Sequence, residues 1–157
     1  MGLDTGFGTA FAKSQIAASS SLPKSGTVFI SVNDPDKPEI IPVAKKLVEL
    51  GFYLRATRGT YQYFQEQGIP VDFVYKVNEG SPNVVDLILE GKINLIINTP
   101  LGMTSKYDEF SIRRNAITHR VPVITTIPAA FAAVEGIAAL QKEELHVLTL
   151  QEYHSKN

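Results

Sequence analysis

Ile93-Asn94-Leu95-Ile96-Ile97-Asn98, followed at once by Thr99 and Pro100, is the stretch that decides how this 157-residue chain folds. A run so short and so apolar reads as a strand covered on both faces, the kind found in parallel sheets with helices on either side. Working outward, the pattern repeats. Upstream, residues 82–90 have helical spacing with Gly91 as a stop, and residues 71–76 form a third strand. Before them lie a helix through Gln67 that ends at Gly68, and a second strand over residues 52–56. Earlier still, Ile40, Ile41, Ala44, Leu47 and Val48 recur at helical spacing up to Gly51. Residues 27–32 are a β-branched first strand closed by the turn cluster Asn33-Asp34-Pro35-Asp36-Lys37-Pro38. Downstream come a polar-faced helix near residues 107–119, a fifth strand over 122–126 and a small-residue helix over 129–140. Residues 146–150 read as one last short strand.

Five β–α pairs in strict alternation predict an α/β fold: a three-layer, doubly wound, five-stranded parallel sheet with flavodoxin-like topology. An eight-unit barrel would need roughly 250 residues. Residues 5–18 carry Phe7, Phe11, Ile16 and Ala17 near helical spacing and precede a linker rich in Ser, Pro and Gly. The expected division is therefore a helix and linker over residues 1–25 and the domain proper over 26–157.

Composition narrows the function classes. Hydrophobic residues make up 44% and charged residues 20%, an ordinary globular mixture. The formal net charge of −1 supplies no basic field for a nucleic-acid backbone or an anionic membrane, so neither partner is expected. Cysteine is absent, which excludes a disulfide framework and thiolate metal sites. No run approaches the ~18 apolar residues of a membrane span, and a soluble, cytoplasmic protein is expected.

In open α/β sheets ligands sit beyond the carboxyl ends of the strands. Here those ends carry Asp34, Asp36 and Lys37, then Thr57-Arg58-Gly59-Thr60 opening onto a helix, then Lys76, then Asn98-Thr99-Pro100. Two lysines, several hydroxyls and a helix N-terminus on one rim suit a phosphate or another anion. A plainer reading stands beside it: Thr57 and Thr60 are helix caps, and the lysines are solvated surface charges. Other features point to no chemistry. Gly2, Gly6 and Gly8 follow no strand and read as a helix-entry turn. His119, His146 and His154 lack metal-ligand spacing, so no metal site is expected. Arg113-Arg114 reads as a solvated helix face or an interface patch, and Tyr61, Tyr63 and Phe64 as core and cover.

Several stretches occur together in a characteristic order. They are Ser25-Gly26-Thr27-Val28-Phe29-Ile30-Ser31-Val32, Gly51-Phe52 running into Ala56-Thr57-Arg58-Gly59-Thr60, Lys76-Val77-Asn78-Glu79-Gly80, Ile96-Ile97-Asn98-Thr99 and Ile112-Arg113-Arg114. Taken together they resemble the C-terminal allosteric domain of carbamoyl-phosphate synthase large subunits, which has the methylglyoxal-synthase-like fold. The opening Met1-Gly2-Leu3-Asp4 through Lys13 is similar to the family's helix leading out of the preceding domain, so Met1 is expected to be internal to a longer chain.

The resemblance implies a regulatory domain without catalytic residues that binds nucleotide effectors, UMP and, in some bacterial members of the family, IMP. It places phosphate contacts on Lys37, Thr57, Gly59, Thr60 and Lys76, and ribose and base contacts on Ser31, Val77, Val84, Asn98, Thr99 and Ile112. Thr125 matches part of a second, ornithine-like effector position whose companion Tyr is Val123 here. Pro100 and Ser111 also depart from the family pattern. The implied partners are the rest of the large subunit and its glutaminase small subunit, and a homo-oligomer is possible. No cofactor is implied for the domain; ATP, magnesium or manganese, and potassium belong to the rest of an ATP-dependent, glutamine-hydrolysing ligase serving pyrimidine and arginine biosynthesis.

The alternative on the same fold is a methylglyoxal-synthase-like lyase acting on dihydroxyacetone phosphate. That enzyme needs carboxylates at positions aligning with Ser81 and Thr99. A purine-pathway cyclohydrolase half matches the leading helix and the stretch 76–80 less well.

Overall fold

The computed structural model of the chain describes residues 1–99, 106–142 and 144–155. Five strands, β1 (Thr27–Ser31), β2 (Tyr53–Ala56), β3 (Asp72–Phe73), β4 (Leu95–Asn98) and β5 (Val123–Ile124), form one sheet. Every pairing is parallel. Among the described residues seven helices accompany them: α1 (Phe7–Ala17), α2 (Lys37–Glu49), α3 (Arg58–Glu66), α4 (Val84–Leu89), α5 (Lys106–Thr118), α6 (Ile127–Lys142) and α7 (Leu150–Ser155). The strand order is 3-2-1-4-5. This is the order of the Rossmann type, not the 2-1-3-4-5 of flavodoxin, and it puts the reversal of direction between β1 and β4.

Alternating residues of the two central strands feed two separate cores. Val28, Ile30, Leu95 and Ile97 pack with α1, α2, α3 and α6. Phe29 and Ile96 point the other way, against Val84, Leu87 and Ile88 of α4 and Ile112 and Ala116 of α5. A period of two along strands covered on both faces is what makes Leu95–Asn98 buried throughout. At about 25 cal/mol per Å² of apolar surface, these two layers supply the main drive for folding. The leading helix belongs to the same packing: Ala12 and Leu22 are buried in the first core. Gly6 sits at the α1 N-cap as an entry residue, but Gly8 lies inside the helix, where a Cβ would meet the Glu135 backbone oxygen of α6 at 2.5 Å.

Three elements depart from the sequence reading. The third strand ends at Phe73 rather than Lys76: Val74 N still donates to Ala56 O, but Tyr75 then bridges to Asn83. Lys76 thus reaches the rim on a turn, closed by Glu79 N donating to Lys76 O at 3.1 Å. The fifth strand stops at Ile124 because Thr126 is taken by α6, its hydroxyl accepting from Ala129 N. Residues 146–150 are not a strand. Thr149 and Glu152 form reciprocal caps that start α7: Thr149 N donates to Glu152 Oε2 at 2.7 Å, and Glu152 N donates to Thr149 Oγ1 at 3.2 Å.

Candidate functional site

The β1–β4 pairing brings Ser31 and Asn98 into register at the carboxyl ends of both strands, at the switch point. Thr57 ends the connection from β2 and is the N-cap of α3, yet its side chain does not cap the helix. Instead the Thr57 and Ser31 hydroxyls are hydrogen-bonded to each other at 3.0 Å, both almost fully buried. Thr60, one turn into α3, accepts from Val32 N at 3.2 Å, and Thr99 accepts from Asn33 N at 3.1 Å. These hydroxyls knit β1, α3 and the end of β4 into one rigid rim. The plain capping reading of Thr57 and Thr60 is not what their hydroxyls do.

Because the Thr57 hydroxyl is engaged elsewhere, it does not cap α3, and the positive end of that helix's dipole faces the rim. Lys37 adds to it. Its ammonium lies 3.2 Å from where a Cβ on Gly59 would stand, so it hangs directly over the start of α3. Asp34 holds it there, Oδ1 to Nζ at 2.6 Å. The same hydrogen bond, with Lys37's charge, holds the exposed Asp34 carboxyl below its ordinary value.

Next to this cationic corner is a narrow slot lined by Phe29, Ser31, Thr57, Lys76, Val84, Asn98, Asp108, Glu109 and Ile112. Six of the residues named from sequence therefore share one wall system: Ser31, Thr57, Lys76, Val84, Asn98 and Ile112. Lys37 and Gly59 form the adjoining corner. Thr60 and Thr99 brace the rim from behind, and Val77 roots the turn after Tyr75 by packing on the second core. Val84 and Ile112 are core residues as much as slot walls, with 0% and 6% of their surfaces exposed. Pro100 lies outside the described residues.

Three slot residues are not among those named from sequence: Phe29, a core residue of β1, and the two carboxylates Asp108 and Glu109. Asp108 and Glu109 stand in the first turn of α5, where acidic residues are commonplace because they complement the helix dipole. The signal that was available is topological: α5 follows β4, so its first turn has to start beside the switch point. Asp108 accepts from Asn78 Nδ2 at 3.1 Å, which ties α5 to the turn carrying Lys76.

Thr125 is elsewhere. With Val123, Arg113, Ile117 and Arg120 it lines an open cleft of about 1100 Å³ whose other wall is the segment from Ile16 to Ser21. Ser81 does not face the slot; its hydroxyl donates to Asp86 Oδ2, part of the reciprocal cap that Asn83 and Asp86 make on α4. His119, His146 and His154 are exposed. Among the described residues no group of His, Cys, Asp or Glu side chains is placed to hold a metal ion, and no helix is long and apolar enough to cross a membrane.

A family model described as the MGS-like domain matches residues 39–125, more than half of the chain. The chain belongs to the MGS-like domain family. This MGS-like domain is 52% identical over 155 residues to the carbamoyl phosphate synthase large chain of Acidobacterium capsulatum, covering 99% of this chain and 14% of that one. It is 52% identical, over 98% of its own length, to the C-terminal section of the same large chain from Methanopyrus kandleri, of which it covers 29%. The MGS-like domain thus spans only a minor part of the relatives it matches. Among solved structures, methylglyoxal synthase from Elizabethkingia anophelis superposes with a TM-score of 0.59 at 16% identity, covering 87% of this chain and 94% of that one, a likeness of fold.

Proposed function

We propose that this MGS-like domain is the regulatory part of a carbamoyl phosphate synthase large chain and binds nucleoside monophosphates, UMP or IMP, at the switch point. The observation that carries the reading is the joining of a cationic corner to a mixed slot. Lys37, Lys76 and the start of α3, which the Thr57 side chain does not cap, suit a phosphate dianion. The slot beside it offers apolar walls in Val84 and Ile112 and hydrogen-bonding groups in Ser31, Asn98, Asp108 and Glu109. Carboxylates accept from ribose hydroxyls and base N–H groups, so the phosphate belongs at the α3 end and the nucleoside beside α5.

Effector binding would alter how the domain packs on the rest of a cytoplasmic, glutamine-dependent, ATP-using ligase with its glutaminase subunit. Such coupling requires different effector affinity in two states of the enzyme. The lyase alternative has less support. The aligned catalytic positions carry Ser81, which faces away, and Thr99, whose hydroxyl is engaged by Asn33 N. Calorimetric titration with UMP, IMP, UTP and N-acetylglutamate tests the proposal. Saturable binding of UMP or IMP is expected; heat from none of the four contradicts it.

A further inference from the structure

The slot is partly open to solvent and holds only about 20 Å³, room for one water molecule, whereas small-molecule pockets run to about 300–1,000 Å³. A nucleoside therefore cannot enter unless one wall moves. Three walls are fixed: the ends of β1 and β4 are sheet core, the start of α3 is bonded to β1 through Thr57, and α4 is rooted by Val84 and Ile88. The turn bearing Lys76 is fixed as well. Val77 packs on the core, and Gly80 lies flat on the Tyr75 ring, where a Cβ would stand 3.0 Å from Cγ. Among the described residues the remaining wall is the first turn of α5. Ile112 and Ala116 anchor that helix further along, and its start is tied down by Asn78 Nδ2 donating to Asp108 Oδ1 across 30 residues of chain.

We infer that the Asn78–Asp108 hydrogen bond is a latch that holds the slot closed, and that nucleotide enters when it opens and the start of α5 swings away from the turn 76–80. The inference rests on the nucleotide reading above. It also gives that reading a route to the rest of the enzyme, because Arg113 and Ile117 further along α5, and Arg120 just past its end, line the cleft facing the segment from Ile16 to Ser21. One helix then borders both places, and a shift at its start is felt in that cleft.

A closed majority state weakens apparent affinity by the fraction of open molecules. Asn78→Ala removes the donor without touching a slot wall, so UMP or IMP should bind about two- to tenfold more tightly, the range for an exposed bond to a charged group. Hydrogen exchange on the ligand-free protein gives a second readout. Amides of the first two turns of α5 should exchange several-fold faster in Asn78→Ala, with those of β1 and β4 unchanged. A merely structural role for Asn78 would speed exchange without tightening binding. Equal or weaker binding by Asn78→Ala, with the wild type binding normally, overturns the latch and leaves the nucleotide reading intact. If neither protein binds UMP or IMP, it is the nucleotide reading that fails, and the latch, being a gate for nucleotide, is overturned with it whatever the exchange of α5.

Discussion

The Lys37 ammonium lies over Gly59, 3.2 Å from the place a Cβ would occupy, and so covers the open start of α3. Gly59 leaves room for that ammonium. In Gly59→Ala the new methyl meets the far end of a flexible side chain, which yields. Stability should rise by about 0.5–1 kcal/mol, as for Ala over Gly in a helix, while inorganic phosphate and UMP bind several-fold more weakly. Thermal denaturation and calorimetry on the same variant check both signs.

The buried pair of hydroxyls on Ser31 and Thr57 predicts a coupled loss. Thr57→Val leaves the Ser31 hydroxyl without this partner and should cost about 1–3 kcal/mol. Ser31→Ala combined with Thr57→Val should cost less than the sum of the two single changes, since nothing polar is then stranded. Urea denaturation of the two single variants and the double variant measures it.

Gly8→Ala should be more damaging than a change in a solvated turn. Its methyl would press on the Glu135 carbonyl oxygen, rigid backbone of α6, at 2.5 Å. A cost of about 1–3 kcal/mol is expected, as for overpacking elsewhere, together with faster hydrogen exchange throughout α1.

The α/β class and the parallel alternation were legible because strands covered on both faces, such as Leu95–Asn98, admit few other arrangements. The rim was legible for a related reason: once the strands are parallel, Lys37, Thr57, Lys76 and Asn98 have to end at the same edge. What stayed hidden was decided by local bonds. The run 71–76 alternates as a longer strand would, and only the Tyr75–Asn83 bridge and the ring beneath Gly80 turn it out of the sheet. The start of α7 carries its signal openly in Thr149-Leu150-Gln151-Glu152, a capping box that follows directly on apolar residues with a strand-like look. The strand order could not be read from alternation at all, since 3-2-1-4-5 and 2-1-3-4-5 use the same elements.

The N-terminal segment should loosen in acid. Lys13 Nζ stands 2.6 Å from Asp4 Oδ2, and that hydrogen bond, aided by the Gly6 and Thr5 N–H groups, holds the Asp4 carboxyl below its ordinary 3.8. A carboxyl whose folded value is lowered contributes its full stabilisation above the unfolded value and loses it as pH falls through the lowered one. Amide resonances of residues 3–6 should therefore shift and broaden only below about pH 4. The effect on global stability should be at most about 1 kcal/mol, since the pair is partly solvated.

If the slot carries no lyase chemistry, the domain should convert dihydroxyacetone phosphate to methylglyoxal no faster than buffer. Asp108 and Glu109 make the test worthwhile, because they put carboxylates in the slot even though Ser81 and Thr99 supply none. A protein-dependent rate abolished by Asp108→Asn or Glu109→Gln would turn the assignment from sensor to enzyme.

The affinity of Lys76→Ala for UMP and IMP at low salt tests the account most directly. Val84 and Ile112 are poor places for such a test, since both are core residues whose truncation disturbs folding. Lys76 lies on a partly exposed turn, and removing its ammonium takes away one charge-assisted contact with a phosphate. Such contacts are worth on the order of 1.5–3 kcal/mol, or roughly ten- to hundredfold in affinity. The predicted result is a loss of that size that shrinks as salt is raised, with the melting temperature unchanged. Unaltered affinity for both nucleotides in a folded Lys76→Ala protein would contradict a phosphate site at the start of α3 within reach of Lys76.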